Sequence, residues 1–163
     1  MAQTVESARA EPSGDAPVPS GPGWLLRDCW TEASRHLRAQ DPALSGVEEA
    51  MLLNGAYLVD ARRAGKTVVG YGAPGKGNTL LNYCGIRPDL LAYTVDRNPY
   101  KHGKFTPGMR IPVLAPERIA ADRPDYVLVL PWNLRDELVE QLSYVRGWGG
   151  KLVFPIPELE VVS

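Results

Sequence analysis

The chain divides into three stretches by where its apolar residues fall. Residues 1–23 hold almost no large apolar side chains and are rich in Ala, Pro, Ser, Gly and Glu. Such a segment cannot bury enough surface to offset the entropy of ordering, which predicts a disordered leader. From Trp24 to Gln40, Leu25, Leu26, Cys29, Trp30, Ala33 and Leu37 recur near helical spacing, and Asp41-Pro42 ends the run. Residues 24–46 therefore read as a helix and a linker. Ser45-Gly46-Val47-Glu48 has the form of a capping box. A second helix runs from there to about Ala64, with Met51, Leu52, Leu58 and Val59 as its buried stripe and Gly65 as its stop.

From Thr67 the pattern changes to short apolar runs alternating with helical ones. Strands are expected at 67–71, 91–95, 111–114, 126–130 and 151–154, with helices from Asn78 to Gly85, Pro116 to Ala121 and Asn133 to Arg146. Tyr126-Val127-Leu128-Val129-Leu130 is apolar throughout, as expected of a parallel strand covered on both faces. This order predicts an α/β fold: residues 47–163 form a Rossmann-like, doubly wound parallel sheet of about five strands, ordered 3-2-1-4-5, preceded by two helices. Ligands on such a sheet bind at the carboxyl ends of the strands, beside strand one. No internal repeat is visible.

Composition narrows the class. The chain has 163 residues, 44% hydrophobic and 23% charged, with a formal net charge of −1. That balance has no nucleic-acid or membrane character. No apolar run is long enough to span a bilayer, and no signal peptide is visible, so a cytoplasmic protein is expected. Cys29 and Cys84 match no zinc spacing, and their apolar helical contexts favour buried thiols over a disulfide.

The segment Val68-Val69-Gly70-Tyr71-Gly72-Ala73-Pro74-Gly75-Lys76-Gly77-Asn78-Thr79 carries the candidate chemistry. It reads as a buried strand, a glycine-rich turn and the opening of a helix. Unpaired N–H groups at a helix start favour phosphate, glycines let it approach the backbone, and Lys76 adds a cation. Gly70, Gly72 and Gly75 fit G-x-G-x-x-G, and Asp96 ends the second strand where the dinucleotide fingerprint places a ribose-binding acid. A tight turn without ligand is the plainer alternative. Arg97 and Asn98 stand where they could reach phosphate or base, although an Asx turn accounts equally well for Asn98 before Pro99. Tyr100, Lys101, His102 and Lys104 form a basic, aromatic cluster that clamps a diphosphate, faces a partner or is simply solvated. Trp132 could stack on a base or sugar, and Asn133 caps a helix or meets ligand. Glu158 and Glu160 read as solvated. There is no Ser-His-Asp order, no metal-ligand cluster and no carboxylate pair placed for acid–base work.

Taken together, Gly70-Tyr71-Gly72-Ala73-Pro74, the run from Lys76 to Gly85, Tyr93-Thr94-Val95-Asp96-Arg97-Asn98-Pro99-Tyr100-Lys101, Leu130-Pro131-Trp132-Asn133-Leu134 and Trp148-Gly149-Gly150-Lys151 resemble the C-terminal domain of the deoxysugar C-methyltransferases. The resemblance spans about residues 47–160. The family usually has Ala where Gly75 stands. Members of this family methylate a carbon of a dTDP-4-keto-deoxysugar in antibiotic and surface-sugar biosynthesis. They combine a zinc-binding part, an S-adenosylmethionine domain with the catalytic base, and a second Rossmann-like domain that helps to hold the nucleotide sugar.

The resemblance implies a nucleotide-sugar surface built from Tyr71, Gly72, Ala73, Lys76, Gly77, Asn78, Thr79, Asp96, Arg97, Asn98, Trp132 and Asn133. It implies no catalytic base, metal or cofactor on this chain, because residues 1–46 are too short for the other two parts. S-adenosylmethionine would come from a partner methyltransferase. The expected partners are a dTDP-sugar or related phosphorylated small molecule, and a methyltransferase or a second copy of the chain. Two other readings stay open: a stand-alone enzyme that reuses the cradle for an isomerisation or cyclisation, with Lys76, Tyr71 and His102 to suspect, and a small NAD(P)-binding protein.

Overall fold

A computed structural model of the chain describes residues 46–163, with side chains from Asn54 onward. The expected leader, the Trp24–Gln40 helix and the Ser45 capping box lie outside the described residues or side chains. Helix α1 (Gly46–Arg63) leads into β1 (Val68–Tyr71) through Gly65, which takes φ +70° to close the helix end. Then follow α2 (Gly75–Tyr83), β2 (Thr94–Val95), β3 (Val113–Leu114), α3 (Glu117–Asp122), β4 (Tyr126–Val129), α4 (Arg135–Gln141), β5 (Lys151–Phe154) and β6 (Glu160–Val162). Short 3-10 turns occupy Pro99–Lys101, Trp132–Leu134 and Ser143–Trp148.

The sheet order is β3-β2-β1-β4-β5-β6, with the first five strands parallel and β6 antiparallel to β5. The expected order therefore holds, and β6 extends it. Strand alternation divides the core into two layers. Val69, Tyr71, Val127, Val129, Leu152 and Phe154 face α3 and α4 through Ile119, Leu138 and Leu142. Val68, Leu128, Leu130 and Val153 face α1 and α2 through Leu58, Ala61, Leu80 and Leu81. Burying one such side chain contributes about 1.5–3 kcal/mol, so both faces of the central strands must stay covered.

The departures from expectation are local. Helix α2 starts at Gly75, not Asn78, so Lys76, Gly77 and Asn78 belong to its first turns. The regular part of β2 is only Thr94–Val95; before it Tyr93 O still accepts from Gly70 N at 2.8 Å, and the pairing loosens at Ala92, whose N donates to Val68 O at 3.4 Å. The helix expected over 133–146 is broken into a 3-10 turn, α4 and a second 3-10 segment. Glu160 is not merely solvated. It accepts from Arg135 Nε at 2.8 Å and Nη2 at 2.5 Å, which fixes β6 against the start of α4.

The two flanks of the sheet are finished differently. Beside β3 the chain folds back on itself: Gly103 N donates to Val113 O, Val113 N to Lys104 O, and Thr106 N to Ile111 O. Arg110 turns this hairpin at φ +56°, a strained conformation for a residue with a side chain. Segment 103–106 thus pairs along the outer edge of β3.

Candidate functional site

The loop after β1 must reverse within three residues. Gly72 does this at φ +84°, and a Cβ there would lie 2.7 Å from Pro131 Cγ. A Cβ on Gly70 would lie 2.6 Å from Thr94 Oγ1, and one on Gly77 would lie 2.8 Å from Leu130 Cβ. Those three glycines permit close approach. Gly75, the third glycine of the dinucleotide pattern, has nothing within 4 Å of its missing Cβ. Packing of α2 against the end of β4 therefore depends on Gly77, and the G-x-G-x-x-G spacing through Gly75 is incidental.

Asp96 ends β2 as expected, but its carboxylate turns inward. Oδ2 accepts from Ala73 N and from Lys101 Nζ, each at 2.8 Å, and Oδ1 accepts from Asn98 N at 2.8 Å. Lys101 Nζ also donates to Ala73 O at 3.1 Å. His102 Nε2 donates to the Asp96 carbonyl at 2.6 Å. Burial disfavours the charged carboxylate, yet the hydrogen bonds from Lys101, Asn98 and Ala73 outweigh it and hold Asp96 below its ordinary pKa. Its side chain is 12% exposed. A carboxylate bound in this way ties the glycine loop to the 98–101 turn instead of presenting itself to a ribose.

The other expected residues separate into groups. Tyr71 lies in the core, 4% exposed, and its hydroxyl accepts from Gln141 Nε2 at 2.9 Å. Its side chain is thus directed under α4, away from the loop surface. Asn98 Oδ1 accepts from Tyr100 N at 3.0 Å, the Asx-turn arrangement. Arg97 is exposed. Thr79 is exposed and donates to Gly75 O at 3.2 Å along its own helix. Lys76 stands over the Trp132 ring, 4.8 Å from its centroid, and donates to Asn133 Oδ1. These three bridge the loops after β1 and β4, where the strand order reverses. Asn133 here meets Lys76 rather than capping α4.

On the other side of the glycine loop is a cavity of about 210 Å³. Ala73, Asn78, Lys101, Lys104, Phe105, Thr106, Pro107 and Val113 line it. Asn82 Nδ2 donates to Asn78 O at 2.8 Å and Pro107 O at 3.0 Å, fixing α2 to the hairpin that forms the far wall. Thr106 Oγ1 accepts from Ile111 N at 3.0 Å and steadies the same hairpin. Only Ala73 and Asn78 of this lining stand among the expected contacts. The basic cluster at 100–104 was the available signal for the rest. Phe105, Thr106, Pro107 and Val113 carry none, because the fold-back that gathers them is a tertiary feature.

Lys101 is neutralised by Asp96, whereas Lys104 has no ion pair among the described residues. The cavity therefore joins apolar walls, an amide, a hydroxyl and one uncompensated cation. Among the described residues no thiol lines the cavity. Burial pushes the Cys84 thiol up to about 12, and Cys29 lies outside the described residues. Among the described residues no group of His, Cys, Asp or Glu is placed to hold a metal ion, and no helix is long and apolar enough to cross a membrane.

The C-methyltransferase C-terminal domain family matches residues 45–157. The chain is 43% identical over 99 residues to C-methyltransferase NovU of Streptomyces niveus, a match covering 61% of this chain. The chain spans about a quarter of that relative's length, 24%. The solved structure of UDP-D-quinovosamine 4-dehydrogenase from Vibrio fischeri aligns with TM-score 0.43 at 21% identity, covering 60% of this chain and 93% of that one. With the family matched over most of its length, the chain belongs to the C-methyltransferase C-terminal domain family.

Proposed function

We propose that this domain binds a nucleotide-linked deoxysugar, a dTDP-sugar, as a part of or accessory to sugar C-methylation in natural-product biosynthesis in the cytoplasm. The observation that carries the reading is the cavity between α2 and the 103–113 hairpin, where uncompensated Lys104 adjoins apolar walls and the Asn78 amide. A nucleotide sugar needs that combination: cationic contact for the diphosphate, apolar surface for a flat base, and a few placed polar groups. The methyl donor S-adenosylmethionine is then held by a partner methyltransferase. Methyl transfer needs a base within reach of the proton beside the ketone. Neither His102 nor Tyr71 is placed as that base, since neither lines the cavity and the Tyr71 hydroxyl is engaged under α4.

The nicotinamide reading loses its main support, because Asp96 is occupied by Ala73, Asn98 and Lys101. A thermal-shift panel of dTDP, a dTDP-4-keto-sugar, S-adenosylmethionine, NAD and NADP separates the readings. Ligand at 100 times Kd adds about 2.7 kcal/mol of stability, a rise of about 10 °C for a domain this size. The thymidine nucleotides are expected to give that rise and Lys104→Ala to diminish it. Selective stabilisation by NAD, or no response to either thymidine nucleotide, overturns the proposal.

A further inference from the structure

Helix α1 is covered on every side. From Asn54 to Ala61, more than two turns, each residue is buried or partly buried. The described elements account for only part of this cover. Leu58 and Ala61 face the sheet and α2. Asn54 Nδ2 donates to Pro155 O at 2.8 Å, just past β5, and Tyr57 packs edge-on against Tyr126 at the start of β4. A Cβ on Gly55 would lie 3.8 Å from Cys84 O, at the end of α2. Ala56 and Asp60 each stand about 200° around the helix from Leu58, on the side away from the sheet. Ala56 is nevertheless fully buried, and it belongs to neither layer of the core. Asp60 Oδ1 is buried as well, without a hydrogen-bond partner. An outward face closed to solvent requires a further element upon it.

The chain carries a segment that fits. On a helix drawn through residues 24–40, Leu26, Cys29, Trp30, Ala33 and Leu37 fall within about 100° of one another. Such a stripe must be buried against another element. A helix over these residues would be about 25 Å long, and α1, with 18 residues, is about 27 Å long. Residues 41–45 are of the length that joins two antiparallel helices. Folding back there sets residue 40 level with residue 46, and hence Trp30 level with Ala56. The bulkiest side chain of the stripe then meets the smallest of the face, and facing large with small lets the two surfaces interdigitate.

We propose that residues 24–40 lie along the outward face of α1 as the second arm of a helical hairpin, with Trp30 over Ala56. The face is thereby occupied within one chain and closed to a partner methyltransferase or a second copy. Limited trypsin digestion and urea unfolding of the full chain test this, and neither depends on the nucleotide-sugar reading. Cleavage at Arg9, in the expected leader, is the reference. In wild type, Arg35 and Arg38 are expected to be cut at least about tenfold more slowly than Arg9, because cleavage follows the population of the opened state. Ala56→Lys is expected to remove that protection and to lower the urea midpoint. Lysine is a good helix former, so at a solvent-facing position the same change is silent. Trp30→Ala is expected to act in the same direction, and it decides the matter should Ala56→Lys fail to fold. If Arg35 and Arg38 are cut in wild type as fast as Arg9, or if either folded variant keeps the wild-type midpoint and digestion pattern, the packing is wrong. If protection is lost on dilution while sedimentation shows a dimer dissociating, a second copy and not the chain's own arm covers α1, and the proposal is overturned.

Discussion

Two aspartates hold the central strand at its opposite ends, and they do so with nearly the same set of bonds. At the start of β1, Asp125 Oδ2 accepts from Thr67 N and Thr67 Oγ1, each at 2.9 Å, and Oδ1 accepts from Lys66 Nζ at 2.9 Å. Beyond the end of β1, Asp96 accepts from Ala73 N, Asn98 N and Lys101 Nζ. Each carboxylate thus takes a backbone N–H from the chain beside β1 and one lysine. The surroundings differ. The Asp125 side chain is 36% exposed, whereas that of Asp96 is 12% exposed and its lysine lines the cavity. The same chemistry therefore secures a strand at one end and positions the glycine loop beside the cavity at the other. Charge pairs weaken with exposure, whereas burial opposes ionisation of Asp96, so the two clamps differ chiefly in what they hold: only the one at Asp96 borders the cavity.

The largest effect is expected at Asp96. Asp96→Ala leaves Ala73 N, Asn98 N and a half-buried Lys101 without their acceptor, and is expected to cost about 2 kcal/mol. It also frees the wall that Ala73 and Lys101 give the cavity, so dTDP binding is lost by titration under conditions where the variant remains folded. Asp96→Asn, which keeps an acceptor but not the charge, should retain part of both. Urea unfolding of the two variants checks this. If Asp96→Ala leaves both stability and binding intact, the two clamps are alike and the comparison fails.

Asp125 should show a smaller loss that does not reach the site. Asp125→Ala is expected to cost about 1 kcal/mol after allowance for solvent screening, with dTDP affinity unchanged. Its contribution is sensitive to pH. The Thr67 backbone N–H, followed by Lys66, lowers the Asp125 carboxyl to about 2, against about 3.9 in an unfolded chain. A depressed pKa contributes stability that is fully present above the unfolded value and lost as pH falls through the folded one. Wild type should therefore lose this share between about pH 4 and about pH 2, and Asp125→Asn should flatten the curve in that window. Equal acid slopes in the two proteins would remove Asp125 from the account.

Much of this was legible in the chain. The apolar runs at 67–71, 126–130 and 151–154 carry the period and length of covered strands, and their alternation with helical segments sets the parallel order. The glycine loop and Asp96 mark the end of β1 and the end of β2. What the spacing does not reveal is which way a side chain turns. Asp96 occupies the expected position in the pattern, yet a lysine five residues on and a loop N–H 23 residues back draw its carboxylate inward. Gly75 completes the motif, yet open space surrounds it, while Gly77 meets Leu130. The cavity wall at 103–113 depends on an antiparallel fold-back with a strained Arg110, for which no periodic signal exists. β6 is only three residues long and is held by the distant Arg135.

The smallest expected effect isolates what the lysine adds to each clamp. Lys66 donates to Asp125 from the surface, with its side chain 47% exposed, and the bond raises its own pKa. Solvent competes for both partners there, and the two backbone and hydroxyl donors of Thr67 remain when the lysine is removed. Lys66→Ala is therefore expected to leave the urea midpoint of the wild type unchanged within error. Lys101 has no such replacement at its end, because it spans the Asp96 carboxylate and the Ala73 carbonyl together. Lys101→Ala should lower dTDP affinity while Lys66→Ala does not, and the two titrations side by side decide whether the lysine at the cavity positions the loop or only decorates it.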